Sequence, residues 1–242
     1  HVAHGKNNQQ DAVIIWVTKN QINESQLFYG TQPDALETSL TGSVYTYDVG
    51  ILGGWHHWIH KVHMSNLQAF TRYYYKVGAP ICYSKIFNFK TAPSSAEQAY
   101  PQSLLVFGDQ GTFMPMGMAV MQTMIKQHEK KPFDLVLHAG DLSYAGTGGD
   151  WEISNIWDLW FWQIEPIAAY VPWMTTVGNH ESFYNFTAYE KRFEMPGSTS
   201  CKGTASCTNY YYSYDFGGLH IVSTSTEAYK NPYGPTSDQI QW

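Results

Sequence analysis

Three segments of this chain share one pattern, which is an apolar strand followed by a glycine and then by an Asp or Asn. The pattern covers residues 104–109, 135–141 and 173–179. The glycine lets the backbone turn sharply as it leaves the strand. Open α/β sheets place their sites at the carboxyl ends of the strands. If the three strands are neighbours in one sheet, the side chains of Asp109, Asp141 and Asn179 converge.

The residue types at these strand ends favour a metal site. Two carboxylates and one carboxamide oxygen suit a hard cation, and a cation between Asp109 and Asp141 relieves their repulsion. Tyr144 adds a phenol with an ordinary pKa of about 10, so binding it as phenolate indicates a strong Lewis acid such as Fe(III). His180, next to Asn179, is a candidate hydrogen-bond donor or proton source at such a site. A single Gly-Asp pair is usually a turn, but three in order favour a site.

The chain divides into two parts with different periodicity. Residues 1–92 alternate short β-prone runs with turn residues, which predicts an all-β sandwich. Residues 93–101 are small, polar and bounded by prolines, as linkers are. Residues 102–242 alternate strands and helices, which predicts an α/β domain. The predicted strands are 12–18, 26–30, 43–48, 58–64, 72–78, 85–90, 103–107, 134–138, 173–177 and 219–225, and the predicted helices are 117–128 and 152–164, the latter ended by Pro166.

Composition excludes several kinds of partner. The 242 residues carry a net charge of −6 without a long Lys or Arg run, so we expect no nucleic-acid partner. No apolar stretch approaches the roughly 18 residues of a membrane helix, so we expect no membrane partner. A hydrophobic fraction of 43% with 14% charged residues is typical of a globular protein.

Cysteines and glycosylation sequons indicate the secretory route. Cys201 and Cys207 flank a short segment and predict a small disulfide loop, with two free thiols as the alternative. Asn23 and Asn185 begin Asn-x-Ser/Thr sequons. We therefore expect a protein that is secreted to the extracellular space or delivered to a vacuole or lysosome. Cys82 has no evident partner.

Four histidines cluster in the predicted sandwich and could be mistaken for a metal site. His56 and His57 are consecutive, and consecutive strand residues face opposite sides of a sheet. We therefore interpret these two, with His60 and His63, as surface or half-buried strand residues.

The strand-end blocks resemble a known family. Gly-Asp-Gln-Gly at 108–111, Gly-Asp-Leu-Ser-Tyr-Ala at 140–145 and Gly-Asn-His-Glu at 178–181 resemble the first three signature blocks of the purple acid phosphatases, within the calcineurin-like metallophosphoesterase superfamily. Residues 71–78 and 87–93 resemble the end of the fibronectin-type N-terminal domain of the large plant and fungal form. The resemblance implies a fibronectin III-like sandwich followed by a layered α-β-β-α metallophosphoesterase domain.

The resemblance also implies residue roles. Asp109 and Tyr144 would bind Fe(III), Asp141 would bridge the two metals, and Asn179 would bind a divalent zinc, manganese or iron ion. His180 would contact the substrate phosphate, and Glu181 would orient the ligands. The implied activity is that of an acid phosphatase, which hydrolyses phosphomonoesters with a metal-bound hydroxide as nucleophile. The large family form commonly dimerises, which makes a homodimer an expectation.

The chain departs from the family pattern in one respect. The family supplies three further ligand histidines from later blocks, whereas the only histidine here after Glu181 is His220, in a predicted strand outside any ligand motif. We therefore expect only the first half of the phosphoesterase domain, with four of the seven usual protein ligands. Two alternatives stay open: another activity of the superfamily, such as that of a phosphodiesterase, or a non-catalytic binding or adhesion fragment.

Overall fold

The computed structural model describes residues 1–5, 10–49, 54–94, 102–113, 116–147, 151–196, 209–227 and 239. The domain boundaries predicted at residues 92 and 102 stay predictions, because residues 95–101 are not among the residues that the structure describes. Cys201 and Cys207 are not among them either, so the predicted disulfide is untested. Among the helices described, none combines the length and the apolarity that crossing a membrane requires.

The first domain is a sandwich of two antiparallel sheets, as predicted. One sheet has the order β1 (Val2–His4), β2 (Ala12–Thr18), β6 (Trp58–Met64) and β5 (Ser43–Tyr45). The other has the order β4 (Thr38–Thr41), β3 (Gln26–Gly30) and β7 (Arg72–Ala79), with β8 (Cys82–Tyr83) and β9 (Phe87–Lys90) both paired to β7. The sequence analysis did not predict β1, β4 and β8, which have two to four residues each.

Strand β2 is buried on both of its faces. Ile14 packs in the core of the sandwich, whereas Val13 and Ile15 pack in a cluster that includes residues of the second domain. A strand buried on both faces has no polar face, which explains why residues 12–17 form a continuous apolar run instead of an alternating one.

The second domain contains a parallel sheet, as the alternating strands and helices predict. Its strand order is β10 (Leu104–Phe107), β11 (Leu135–Ala139) and β12 (Trp173–Thr176). The helices are α1 (Gly117–Lys130), α2 (Asn155–Ala168) and α3 (Thr187–Arg192). Strands β13 (Tyr212–Phe216) and β14 (Leu219–Ser223) form a separate hairpin.

Both predicted ends of α2 were wrong. Residues 152–154 precede the helix, because the Ile153 N–H bonds the Ala145 carbonyl at 2.9 Å and holds this segment against the loop that contains Tyr144. Pro166 does not end the helix, which continues to Ala168. Proline removes one backbone donor, and the bond from Ala169 N–H to the Glu165 carbonyl, which spans Pro166, still forms at 3.1 Å.

The interpretation of the sandwich histidines was wrong for His60, which is only 1% exposed. Its Nδ1 lies 2.7 Å from Ser25 Oγ, and its Nε2 lies 2.8 Å from Thr18 Oγ1. His57 reaches the second domain instead, where its Nδ1 lies 2.5 Å from Asp158 Oδ2. His60 is therefore a packing residue and His57 an interface residue, whereas His56 and His63 are exposed, as expected.

Candidate metal centre

The parallel register brings the three strand ends together at one edge of the sheet. Phe107 is paired with His138, and Ala139 with Thr176, so the glycines that follow the strands lie side by side. Gly140 has a φ of 73°, and a Cβ atom there would lie 2.8 Å from the backbone nitrogen of Gly178. Only glycine permits this close approach of the two loops.

The loop residues that carry the oxygen groups have a left-handed backbone. Asp109, Asp141 and Tyr144 have φ values of 55°, 52° and 54°. Each non-glycine residue in this region costs roughly 1–3 kcal/mol and persists only when its surroundings hold it. The Asp109 N–H bonds the Gly140 carbonyl at 3.2 Å, so the two Asp loops hold one another.

The phenol of Tyr144 lies between the two carboxylates. Its Oη is 3.2 Å from Asp109 Oδ1 and 3.2 Å from Asp141 Oδ2. Burial raises the pKa of Tyr144 above its ordinary value, and the charges of the two carboxylates raise it further. A hard cation among the three oxygens would reverse that electrostatic effect, so the donor set fits a bound metal ion. In the described ranges no three His, Cys, Asp or Glu side chains form a metal cluster, because one of the three converging groups is a phenol.

Asn179 and His180 follow Gly178 directly, beside Asp141. The His180 backbone N–H donates to Asp141 Oδ1 at 3.0 Å. The His180 ring lies 4.2 Å from the Tyr144 ring, and its Nδ1 is 2.6 Å from the Gly146 carbonyl oxygen. Since a carbonyl only accepts, Nδ1 carries the hydrogen. Asn179 is exposed at the same edge of the sheet.

Glu181 connects the loops after β11 and β12. Its carboxylate is 1% exposed and accepts three backbone N–H bonds, from Asp141 at 2.8 Å, from Leu142 at 2.9 Å and from Gly178 at 2.8 Å. Burial raises the pKa of Glu181 to about 7, and the three N–H donors act in the opposite direction. The structure therefore places Glu181 behind Asp141, where it orients both loops.

Two residues on α2 that sequence reasoning did not single out for the site also contact it. Trp160 and Gln163 donate hydrogen bonds to the loop that follows Asp109. Their spacing of three residues puts them on one helix face, but that spacing alone does not separate them from ordinary core residues. The remaining predicted residues are on the surface: Asn23 and Asn185 are exposed, and Cys82 is an exposed free thiol.

Comparison with known proteins defines the class to which this fold and site belong. Residues 103–240 match the calcineurin-like phosphoesterase family, so the chain belongs to that family. A solved structure titled "Structure of PhoD" shares the fold, with a TM-score of 0.55, 16% identity, and coverage of 93% of this chain and 51% of that chain.

A second family model matches the first domain. Residues 1–91 match the purple acid phosphatase N-terminal domain. Mouse "Acid phosphatase type 7" is 37% identical over 172 residues, which are 71% of this chain and 36% of the mouse protein. Arabidopsis thaliana "Purple acid phosphatase 22" is 32% identical over 237 residues, which are 95% of this chain and 48% of that protein. The chain thus spans less than half the length of each of these relatives.

Proposed function

We propose that the full-length protein is an acid phosphatase that hydrolyses small-molecule phosphomonoesters at a dinuclear metal centre. The observation that carries this proposal is the position of the Tyr144 phenol, 3.2 Å from a carboxylate oxygen of both Asp109 and Asp141. A phenol among carboxylates suits a strongly Lewis-acidic ion. The names of the relatives, which are acid phosphatases, support the same activity.

Four side chains of the described chain would hold the metals. Asp109 and Tyr144 would bind Fe(III), Asn179 would bind a divalent zinc, manganese or iron ion, and Asp141 would bridge the two. When bound, the metal pair supplies positive charge for the phosphoryl oxygens and lowers the pKa of a water molecule, which then acts as the nucleophile.

The remaining residues of the site orient the groups that react. The bond between His180 Nδ1 and the Gly146 carbonyl sets the direction of the ring and leaves Nε2 to contact the phosphoryl group of the substrate. Glu181 keeps the backbone of Asp141 and Gly178 in place through its three N–H bonds. These residues therefore bind and position, while the metal pair provides the charge.

The proposal is tested with Asp141→Asn in the full-length protein. The variant removes one negative charge from the position proposed to bridge the metals. We expect metal content to fall below one ion per chain and hydrolysis of p-nitrophenyl phosphate to fall at least 10³-fold, on the order of the loss of a metal-derived nucleophile. Asp215→Asn is the matched control, because Asp215 is 62% exposed and contacts His220 outside the site.

Two outcomes would contradict the proposal. Unchanged metal content and turnover in Asp141→Asn would exclude this metal centre. Faster hydrolysis of bis-p-nitrophenyl phosphate than of the monoester would favour the phosphodiesterase alternative.

We also propose that the protein follows the secretory route to the extracellular space or to a vacuole or lysosome. The support is that both sequon residues, Asn23 and Asn185, are exposed and accessible to a glycan. The test is the electrophoretic mobility of the natively expressed protein before and after N-glycosidase treatment. We expect a shift that the double variant Asn23→Gln, Asn185→Gln abolishes, and a native protein without any shift would contradict the proposal.

A further inference from the structure

Helix α2 contacts the loop that carries Asp109 through two buried side chains. The Trp160 Nε1–H donates to Gln110 Oε1 at 2.8 Å, and Gln163 Nε2 donates to the Gly111 carbonyl at 2.9 Å. Trp160 is 0% exposed, Gln163 5% and Gln110 2%. The two residues directly after Asp109 are therefore bound to α2 away from water.

The Asp109 loop requires support from its surroundings because its backbone is strained. Asp109, which is not a glycine, has a φ of 55°. The Asp109 side chain is exposed, and the Tyr144 phenol contacts its Oδ1 at 3.2 Å. Backbone bonds to residues 140–142 hold one side of the loop, at 2.9–3.2 Å, and α2 holds the other.

Trp160 is suited to position another residue because its own ring is confined. Its ring packs edge-on against Trp157 and Phe161, with centroids 6.1 and 5.2 Å away, and lies 6.0 Å from Phe193. Indole offers a single N–H donor, so a fixed ring directs that donor at one acceptor. Gln110 is bound on its other side as well, since its Nε2 lies 3.6 Å from Met121 Sδ.

We propose that Trp160 and Gln163 are positioning residues for the metal centre. By holding Gln110 and Gly111, they set the place of the Asp109 carboxylate relative to the other oxygen ligands. This inference rests on the proposed function, because it requires that Asp109 binds a metal ion.

The test compares three variants of the full-length protein. Trp160→Phe keeps an aromatic ring at this position and removes the N–H donor, and Gln163→Met keeps the chain length and removes the donor to Gly111. Trp55→Phe is the matched control, because Trp55 is also buried but its Nε1–H donates to Asp158 Oδ2 at 2.8 Å, away from the Asp109 loop. Each metal-free protein is titrated with Mn(II), and the unbound ion is measured by its EPR signal.

We expect Trp160→Phe and Gln163→Met each to weaken Mn(II) binding about tenfold, the lower end of the effect of groups that support metal ligands. Trp55→Phe should bind Mn(II) like the wild type. Gln163→Met also separates positioning from stability, because Gln163 Oε1 is buried without a hydrogen-bond partner among the described residues. Removing this unpaired oxygen offsets the loss of the hydrogen bond to Gly111, so the midpoint of urea unfolding should stay near that of the wild type.

Two results overturn the inference alone: wild-type Mn(II) affinity in both Trp160→Phe and Gln163→Met, or an equal loss in Trp55→Phe. A wild-type protein that binds no Mn(II), Zn(II) or iron overturns the proposed function and this inference with it. The wild-type titration therefore distinguishes the two failures.

Discussion

The Arg192 guanidinium donates from Nη1 to Asp158 Oδ1 at 2.8 Å, and the side chain of Arg192 is 0% exposed. The other oxygen of Asp158 accepts the indole N–H of Trp55 at 2.8 Å and contacts His57 Nδ1 at 2.5 Å. Arg192 Nε also donates to Tyr47 Oη at 2.8 Å. One carboxylate on α2 thus joins a buried cation of the second domain to two side chains of the sandwich, and the cation itself contacts a third.

Removing the Asp158 carboxylate should lower the free energy of unfolding. In Asp158→Ala, Arg192 stays buried without its anionic partner, and breaking a buried pair in this way destabilises a protein by about 3–5 kcal/mol. Because Asp158 is 21% exposed, we expect a loss of about 3 kcal/mol in the free energy of unfolding, measured in urea. Asp215→Ala removes the partner of the exposed His220 and should cost less than about 1 kcal/mol. Equal losses of unfolding free energy in the two variants would show that the buried Arg192–Asp158 pair contributes no more to stability than the exposed His220–Asp215 pair.

Tyr144→Phe should remove the visible absorption band of the iron-loaded protein. The proposed ferric site owes this band to the phenolate, and phenylalanine has no oxygen to bind the metal. Without metal, the free energy of unfolding should change by less than about 1 kcal/mol, because the substitution removes only the contact of a neutral phenol with two carboxylates. Tyr74→Phe is the control, because Tyr74 lies on β7 of the sandwich. An iron-loaded Tyr144→Phe with an unchanged spectrum would show that another residue is the source of the band.

Glu181→Gln should lower both the stability of the protein and its metal affinity, because the side chain keeps its shape but loses an acceptor. An amide places an N–H₂ group opposite one of the three backbone N–H donors that Glu181 now accepts. A buried donor left without an acceptor costs about 1–3 kcal/mol, and groups that orient ligands affect metal affinity about 10–100-fold. Urea unfolding and a Mn(II) titration measure the two effects. Retention of wild-type values in both would mean that the loops after β11 and β12 do not need this carboxylate.

The stability of the second domain should fall in acid because of His138. This residue is 2% exposed, and neither ring nitrogen has a hydrogen-bond partner among the described residues. Its ring lies 4.3 Å from Phe107, 5.8 Å from Trp160 and 6.0 Å from Trp173. Burial lowers the pKa of His138 to about 3.

The sign follows from where protons bind. Below a pH of about 6.5 the unfolded chain takes up a proton at His138 while the folded chain does not, so the free energy of unfolding falls as the pH drops from about 6.5 towards 3. His138→Leu lacks this loss, and its advantage over the wild type should be about 2 kcal/mol larger at pH 5 than at pH 7.5. An identical dependence in His138→Leu and the wild type would show that His138 is protonated in the folded state.

Local sequence was sufficient to locate the candidate site. The three blocks combine an apolar strand, a glycine and an oxygen-bearing residue within a few positions, so their geometry is set by short-range backbone preferences. The same holds for the long strands and for α1, whose apolar periodicity extends over several turns. Pairing of β10, β11 and β12 in register brings the strand ends that precede Asp109, Asp141 and Asn179 to one edge, as the pattern predicts. Tyr144, three residues after Asp141, contacts both carboxylates there.

The tertiary structure alone decided which distant residues support that site. Trp160 and Gln163 lie 50 and 52 residues from the groups they contact, and Arg192 lies 145 residues from Tyr47. Burial of His60 likewise depends on Ser25 and Thr18, which lie on other segments. No local window contains both members of such a pair. Their contacts follow from how α2 packs on the sheet and how the sandwich packs on α2, since burial and hydrogen bonding are properties of the assembled chain and not of the residue type.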